Sequence, residues 1–529
     1  MKRRVTFIHE GEGEFDPQQA HLDSTSLTLR SLRGARQERL TFGFEELPNE
    51  FQQVLSQCVE LHIRWVSEYP YSAITPFTSR LPPGLHIILS ALTSNRSKHL
   101  CLCPLLQKTF DTSLNCTIPE TSFIAPSSVT KSGALPSLQF YQLLPSLDQL
   151  ATYIQEAICS NQSTECRDSA AIIRFADTLD IDYDRVLNSF VVTVYWSKSV
   201  ANGGWKDTIH SNNSSKDKID VGILAPQQPL DPDEIRIGGL LAVVGRDKEF
   251  KPTLFSFPSR HHSLPNSSTY KAQLASPTGL HPTLRLSISR SALSPPPSPP
   301  KTTCRLYTYI TLPSYIFPDE YQLSTTDPLF LQSHNIRGLH HVAGETDLEA
   351  PDWTTRRWGS HLLVELATSN SDDASDWTST IPLHLRYLHP SESGYHNVSL
   401  PWPVVFWACE SEDQGKMDVN PFDRVNLSWD DFFGPKTFFY QFHPSPRPVT
   451  GDATREELKL VETIQVPVLQ VDEDNQSITN QAKQIELGTV VVVVAGFLWI
   501  LWRLGAVFKI SGIRANRGQR TRETEKKTQ

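Results

Sequence analysis

Apolar and polar positions alternate in short runs along most of the chain: ELHIRWVS (60–67), FVVTVYWS (190–197), LLAVVG (240–245), CRLYTYITL (304–312) and LHLRYLHP (383–390). A period of two with β-branched and aromatic residues predicts strands, and the polar stretches between them, such as HSNNSSKDK and SESG, have turn chemistry. HLLVELA (361–367) is a short apolar run of the kind a buried strand shows. One segment, SLDQLATYIQEAICS (146–160), has helical spacing instead and places Leu147, Leu150, Ile154 and Ile158 on one face. The expected fold class is mainly β: β-sandwich-like domains with some helical insertions, followed by one C-terminal transmembrane helix.

The most concentrated apolar run outside that helix is PWPVVFWACE (401–410). It is too short to cross a bilayer, and Pro401 and Pro403 forbid a helix starting upstream, so a core strand buried on both faces is the economical reading. The alternative turns a tryptophan outward to a partner. Trp402 and Trp407 are five positions apart, on opposite faces of a regular strand, which makes them candidate partner contacts, with Trp402 the outward one beside its prolines.

Composition divides the chain further. SRSALSPPPSPPK (289–301) reads as a stiff solvated spacer, so residues 286–302 are expected to link a mostly β region, 1–285, to a second β region, 303–445. Residues 446–486 turn polar and acidic, a stalk. Leu487–Phe508, LGTVVVVVAGFLWILWRLGAVF, contains a single charge, Arg503, and is long enough as a helix for a hydrocarbon core of ~30 Å. Residues 509–529 form a basic tail, and the positive side of a span stays cytosolic, so the preceding domains are expected on the lumenal or extracellular side. The N-terminus MKRRVTFIHEGEGEFDP has basic residues but no apolar stretch of the signal-peptide type.

The net charge of −9 argues against nucleic acid, since a duplex binder needs a basic surface to displace counterions. Eight cysteines, all before the span, suit an oxidising compartment. Cys101 and Cys103 form a C-x-C pair on one face of an expected strand, Cys159 and Cys166 could close a small loop, and Cys304 and Cys409, alone in the second region, are a candidate disulfide. Candidate N-glycosylation sequons stand at Asn95, Asn115, Asn161, Asn212, Asn213, Asn266, Asn397, Asn426 and Asn475.

Catalytic signatures are missing from the sequence: there is no G-x-S-x-G, H-E-x-x-H, P-loop or G-x-G-x-x-G. The densest titratable stretch is GLHHVAGETDLEAPDW (338–353), with His340, His341, Glu345, Asp347, Glu349 and Asp352, and His361 a few residues on. Adjacent histidines on a strand point to opposite faces, so a shared metal ion is not expected, and a solvated acidic loop is the simpler account. A membrane-anchored hydrolase or glycosyltransferase working through Asp347 is the competing class, and an adhesion or receptor ectodomain a third.

CRLYTYITLPSYIFPDEYQL, GLHHVAGETDLEAPDW and PLHLRYLHPSESGYHNVSLPWPVVFWACE resemble the PIG-X family in its fungal form, and RRVTFIHEGEGEFDP and LHIRWVSEYP are similar to the additional N-terminal region of those members. The resemblance implies a single-pass endoplasmic-reticulum protein without catalytic residues or cofactor. Its implied partner is the PIG-M-like multi-span catalytic subunit of glycosylphosphatidylinositol (GPI) mannosyltransferase I, which adds the first mannose of the anchor precursor. Membrane lipid is met through the C-terminal helix, and the family is also linked to the stability of other proteins of that organelle.

Overall fold

VVFWACES forms the strand Val404–Ser411, and both of its faces are covered in the computed structural model. Val405, Trp407 and Cys409 enter one core while Val404, Phe406 and Ala408 enter another. A strand with no solvent-facing side has no polar positions to alternate with, which is why this run is continuously apolar.

The structure describes residues 1–9, 19–91, 101–125, 137–159, 164–199, 203–211, 218–368, 377–412, 427–446, 458–470 and 484–506. They fall into two compact units, Met1–Leu388 with Asn397–Val466, and His389–His396 with Pro467–Gln529.

Within the first unit, Val404–Ser411 lies between Thr302–Pro313 and Thr437–Gln441 in a six-stranded sheet completed by His261–Ser263, Gly359–Leu366 and Ile336–Gly344. A four-stranded sheet, Trp377–Pro382, His281–Ile288, Thr269–Thr278 and His443–Pro444, packs Leu284, Leu286, Ile288 and Ile381 against Leu306, Ile310 and Val405. The opposite face of the six-stranded sheet, with Tyr307, Tyr309, Leu363, Phe406 and Phe439, meets Ile8, Ala35, Tyr195, Leu224 and Ile237 of a ten-stranded sheet.

That sheet runs in the order Lys251–Pro258, Glu234–Val243, Lys218–Gln227, Lys2–His9, Gly34–Gly43, Ser189–Trp196, Thr178–Asp184, Cys58–Val66, Gly84–Ala91, Ser137–Gln142. Its pairs are antiparallel except Lys2–His9 with Lys218–Gln227. The other face buries Ile63, Trp65, Leu85, Ile87 and Phe140 together with residues of helices Asn49–Leu55 and Leu102–Thr109. The six-stranded sheet is thus a middle layer, which accounts for the apolar run.

Several sequence expectations change in the fold. The boundary at 285/286 falls inside a sheet, because His281–Ile288 pairs with Trp377–Pro382. Residues 289–301 are partly packed rather than wholly solvated: Ala292, Leu293, Pro296 and Pro299 are buried while Ser291, Ser294, Pro295, Pro297, Pro300 and Lys301 stay exposed, the Trp407 indole donates to the Ala292 carbonyl (3.2 Å), and Tyr440 donates to that of Pro297 (3.2 Å). A proline-rich backbone leaves carbonyls unused by any ladder, and these accept the donors of the buried aromatics.

Part of the expected stalk is also ordered. Val461–Pro467 pairs with Tyr395–Pro401, and Leu460, Ile464 and Val466 are buried in the sandwich core. Among the described residues 146–159 only Asp148–Tyr153 is α-helical. The following π-helical turn, Ile154–Ile158, widens the spiral, so Leu147 and Leu150 are buried while Ile158 rotates out to 42% exposure. Cys101 and Cys103 lie at the start of the helix Leu102–Thr109, not on a strand.

In the second unit the Ser391 amide donates to the Leu469 carbonyl (3.1 Å) and the Val468 amide to that of Gly394 (2.9 Å). Its helix Gln484–Ala506 reaches a mean hydropathy of 2.2 over an 18-residue stretch and is long and apolar enough to cross a membrane. The basic tail 509–529 lies outside the described residues.

Disulfides join Cys103 to Cys116, Cys159 to Cys166 and Cys304 to Cys409. Cys304 and Cys409 stand directly opposite each other in register, with Cα atoms 3.9 Å apart. Cys58 is a buried thiol whose pKa burial pushes up to about 12. In denatured protein, reduction should therefore raise the number of alkylated cysteines by six, read by intact mass. A gain of fewer than four would overturn this pairing.

Candidate functional site

The titratable stretch 338–353 begins on the edge strand Ile336–Gly344, whose ladder to Gly359–Leu366 slips between Leu339 and His341. His340 is the extra residue. A bulge puts neighbouring side chains on one side, which regular alternation would not, and here His340 stacks on Phe433 (centroids 5.7 Å) while His341 lies against Phe432 (4.1 Å). The expectation that the two imidazoles diverge is corrected by that bulge.

His361, on the next strand, is fully buried between the layers, 5.6 Å from His341 and 5.7 Å from Tyr309 by ring centroids. Neither of its ring nitrogens meets a hydrogen-bonding partner among the described residues. Burial draws the His361 imidazole down to about 3, with further contributions from His341 and His86, and draws His341 and His86 to about 4. All three are neutral at physiological pH. Asp430 is buried nearby in sequence to Phe432 and accepts the Leu427 amide (2.8 Å). Burial, and then Asp431, raise its carboxyl well above the usual range.

The acidic half of the stretch turns away from this cluster. Residues 345–352 wrap around Arg386, which is 2% exposed and stacks on Phe317 (4.1 Å). Its guanidinium donates to the carbonyls of Asp347 (2.6 Å), Ala350 (2.8 Å), Glu345 (3.1 Å) and Ser314 (3.0 Å). Charge-assisted bonds to four carbonyls compensate the burial of one cation and hold the loop in one shape. The inward turn of Arg386 also limits the expected strand 383–390 to His384–Leu385.

Asp347, Leu348 and Glu349 are exposed on that loop. His361 and Asp347 are therefore not brought together. Among the described residues, no group of three or more His, Cys, Asp or Glu side chains is placed to hold a metal ion. A hollow of about 430 Å³ is lined by His281, Thr283, Asp319, Gln322 and His384, with the His384 Nε2 3.8 Å from the Asp319 carboxylate. A smaller void of about 10 Å³ lies beside Arg80, Tyr270 and Trp402.

Both candidate contact tryptophans are interior. Trp402 is 5% exposed and donates to Glu462 (3.2 Å), Trp407 is 2% exposed, and both belong to the sandwich core. The five-residue spacing fails as a guide because Val404–Ser411 begins after Pro403, so Trp402 is not on the same regular strand. Asn115, Asn266 and Asn397 are exposed; Asn95, Asn161, Asn212, Asn213, Asn426 and Asn475 lie outside the described residues. Sequence reasoning passed over Arg386 and Asp430, since an isolated arginine or aspartate is ordinarily read as solvent-facing.

Comparison with known proteins places these features. The PIG-X / PBN1 family model matches residues 277–505. Protein pbn1 of Emericella nidulans is 51% identical over 97% of this chain and 97% of its own. The chain belongs to the PIG-X/PBN1 family. Protein pbn1 of Aspergillus oryzae is 49% identical over 98% of both chains, and that of Aspergillus fumigatus 46% over 100% of both. The PIG-X/PBN1 match begins near the strand His281–Ile288 and ends in the membrane-capable helix, so it includes the Arg386 loop and most of the sandwich. The ten-stranded sheet precedes it and lies within the span shared with the three relatives.

Proposed function

We propose that this chain is the non-catalytic subunit of GPI mannosyltransferase I in the endoplasmic reticulum, where it stabilises the multi-span catalytic chain that adds the first mannose to the anchor precursor. The observation that carries this reading is the near-full-length similarity to Protein pbn1, with the PIG-X/PBN1 match running from the sandwich into the helix. Among the described residues, one membrane-capable helix and three disulfides support a lumenal body on a single anchor. A contribution to the folding or stability of other proteins of that organelle belongs to the same reading. The Asp347 hydrolase alternative finds no favourable geometry, because that residue's loop is tied to Arg386 and the buried imidazoles lie elsewhere.

Depletion of this chain should lower the abundance of the catalytic mannosyltransferase, and the two should copurify from detergent extracts; normal abundance without copurification would overturn the reading. The orientation has its own test. In intact microsomes, protease should trim only the tail beyond about Lys509, and endoglycosidase should lower the mass of the protected body through sites such as Asn115, Asn266 and Asn397, which are exposed. Digestion of the body without detergent would reverse the topology.

A further inference from the structure

We propose that Arg4 and Arg39 form an anion site on the ten-stranded sheet, and that it takes a phosphate monoester. The two arginines stand directly opposite each other in the antiparallel pair Lys2–His9 and Gly34–Gly43, and both are half-buried. They share the sheet face that carries Ile8 and Ala35, because side chains an even number of positions apart on a strand point the same way. Ile8 and Ala35 enter the core beneath the six-stranded sheet, and the face turns polar at the arginines.

Like charges facing each other across two strands are destabilising, and a guanidinium taken partly out of water needs acceptors. On the opposite face of the same strands Arg3 and Arg36 meet this need by both binding Glu38. Among the described residues neither Arg4 nor Arg39 makes a hydrogen bond or an ion pair. The carboxylates at this end of the face are engaged elsewhere. Asp220, in register with Arg4, is bound by Lys218 (2.9 Å), with Lys2 at 3.9 Å, and Asp247 by Lys251 (2.5 Å). Asp180 and Asp182 are bound by Arg64, and Asp182 by His62 as well (2.8 Å). Lys2, Lys218, Lys251 and Arg64 thus offset these four carboxylates, and the two facing guanidiniums are left as the uncompensated charge. Burial, and then Arg4, lower the pKa of Arg39, with Asp182 opposing them.

Charge and donor geometry select the ligand. Each guanidinium presents a planar fork of N–H donors that bonds phosphate oxygens in pairs. A phosphate monoester brings three such oxygens and a charge of about −2 near neutral pH, which two cations match, whereas one carboxylate would leave a guanidinium uncompensated. The monoester can belong to a lipid headgroup or to a soluble phosphate.

The test titrates the full-length chain in non-ionic detergent with inorganic phosphate, using potassium chloride of equal ionic strength as the screening control. Phosphate should raise the thermal midpoint, since a ligand of the folded state stabilises it by mass action, and chloride should not match it. Arg39→Gln and Arg4→Gln should each lose the phosphate shift and, with the repulsion relieved, melt above the wild type in phosphate-free buffer. Arg39→Lys keeps the charge without the fork and should bind phosphate about ten-fold more weakly by calorimetry; it carries the test should the glutamine variants fail to accumulate. Glycerol 3-phosphate and dihexanoyl phosphatidic acid then separate the sources. Binding of the lipid about ten-fold tighter or more, lost in Arg39→Gln, supports a headgroup, and equal affinities support a soluble phosphate. A wild type that phosphate does not shift beyond chloride, or arginine variants that keep the shift, would overturn the site. A shift given only by a glutamate-rich peptide would overturn the phosphate ligand and assign the pair to an acidic protein segment.

Discussion

Phe406→Ala and Trp407→Ala should each destabilise the first unit by about 3–5 kcal/mol, the range for removing a large buried aromatic side chain. The two substitutions strike different cores from adjacent positions. Phe406 stacks on Trp429 (centroids 4.3 Å) and lies 5.9 Å from Phe439 in the layer facing the ten-stranded sheet. Trp407 fills the sandwich and donates to Ala292, so its removal leaves both a cavity and an orphaned carbonyl on the Ser/Pro segment. The urea midpoint of the full chain in detergent, followed by tryptophan fluorescence and by protease resistance, should fall for both. A Phe406→Leu control, which keeps most of the volume, should lose less. An unchanged midpoint for either alanine variant would mean that the middle layer is not packed on that side.

Acidification should weaken the fold steeply between pH 6.5 and about 4. His86, His262, His341 and His361 are buried or half-buried with imidazoles depressed to about 4, 4, 4 and 3 respectively, and that of His261 is also held well below its ordinary value, in every case chiefly by burial. Each is neutral when folded, whereas in the unfolded chain it takes a proton below about pH 6.5. The unfolded state thus binds more protons as the pH falls, and stability present above pH 6.5 is lost on the way to the folded values. At pH 5 this amounts to roughly 2 kcal/mol for each fully buried ring such as His86 or His361.

Some groups act in the other direction. Asp177 and Asp430 are raised by burial, and His62 is raised by its pairing with Asp182 and Glu60 against the opposing effect of its burial, so all three favour the folded state as protons are added. They are outnumbered by the depressed histidines, which besides the five above include His340, His384 and His443. Thermal midpoints should therefore be flat above pH 7 and fall sharply at pH 5, and His361→Phe should soften the fall. A midpoint unchanged from pH 7.5 to pH 5 would show that water reaches these rings.

Much of this protein is legible in local pattern. A membrane-capable helix declares itself in Leu487–Phe508 because an unbroken apolar stretch of that length has few other stable placements; in the structure the helix covers Gln484–Ala506. Alternation announced the strands around Ile63, Val192 and Tyr309, since the side-chain period is set by the backbone of the strand itself.

Partnership was decided elsewhere. Periodicity tells how many faces of an element are covered, not by what, so PWPVVFWACE could be read as doubly buried without revealing that one face meets a second sheet and the other a third. A composition rich in proline suggested a solvated spacer, yet Trp407 and Tyr440 supply donors that only the folded chain brings to its carbonyls. One inserted residue at His340 turned two imidazoles to the same side, and a bulge leaves no mark in a pattern of residue types. Arg386 is the clearest case: an arginine can be buried only where several acceptors converge, and its acceptors at Ser314, Glu345, Asp347 and Ala350 converge through long-range folding.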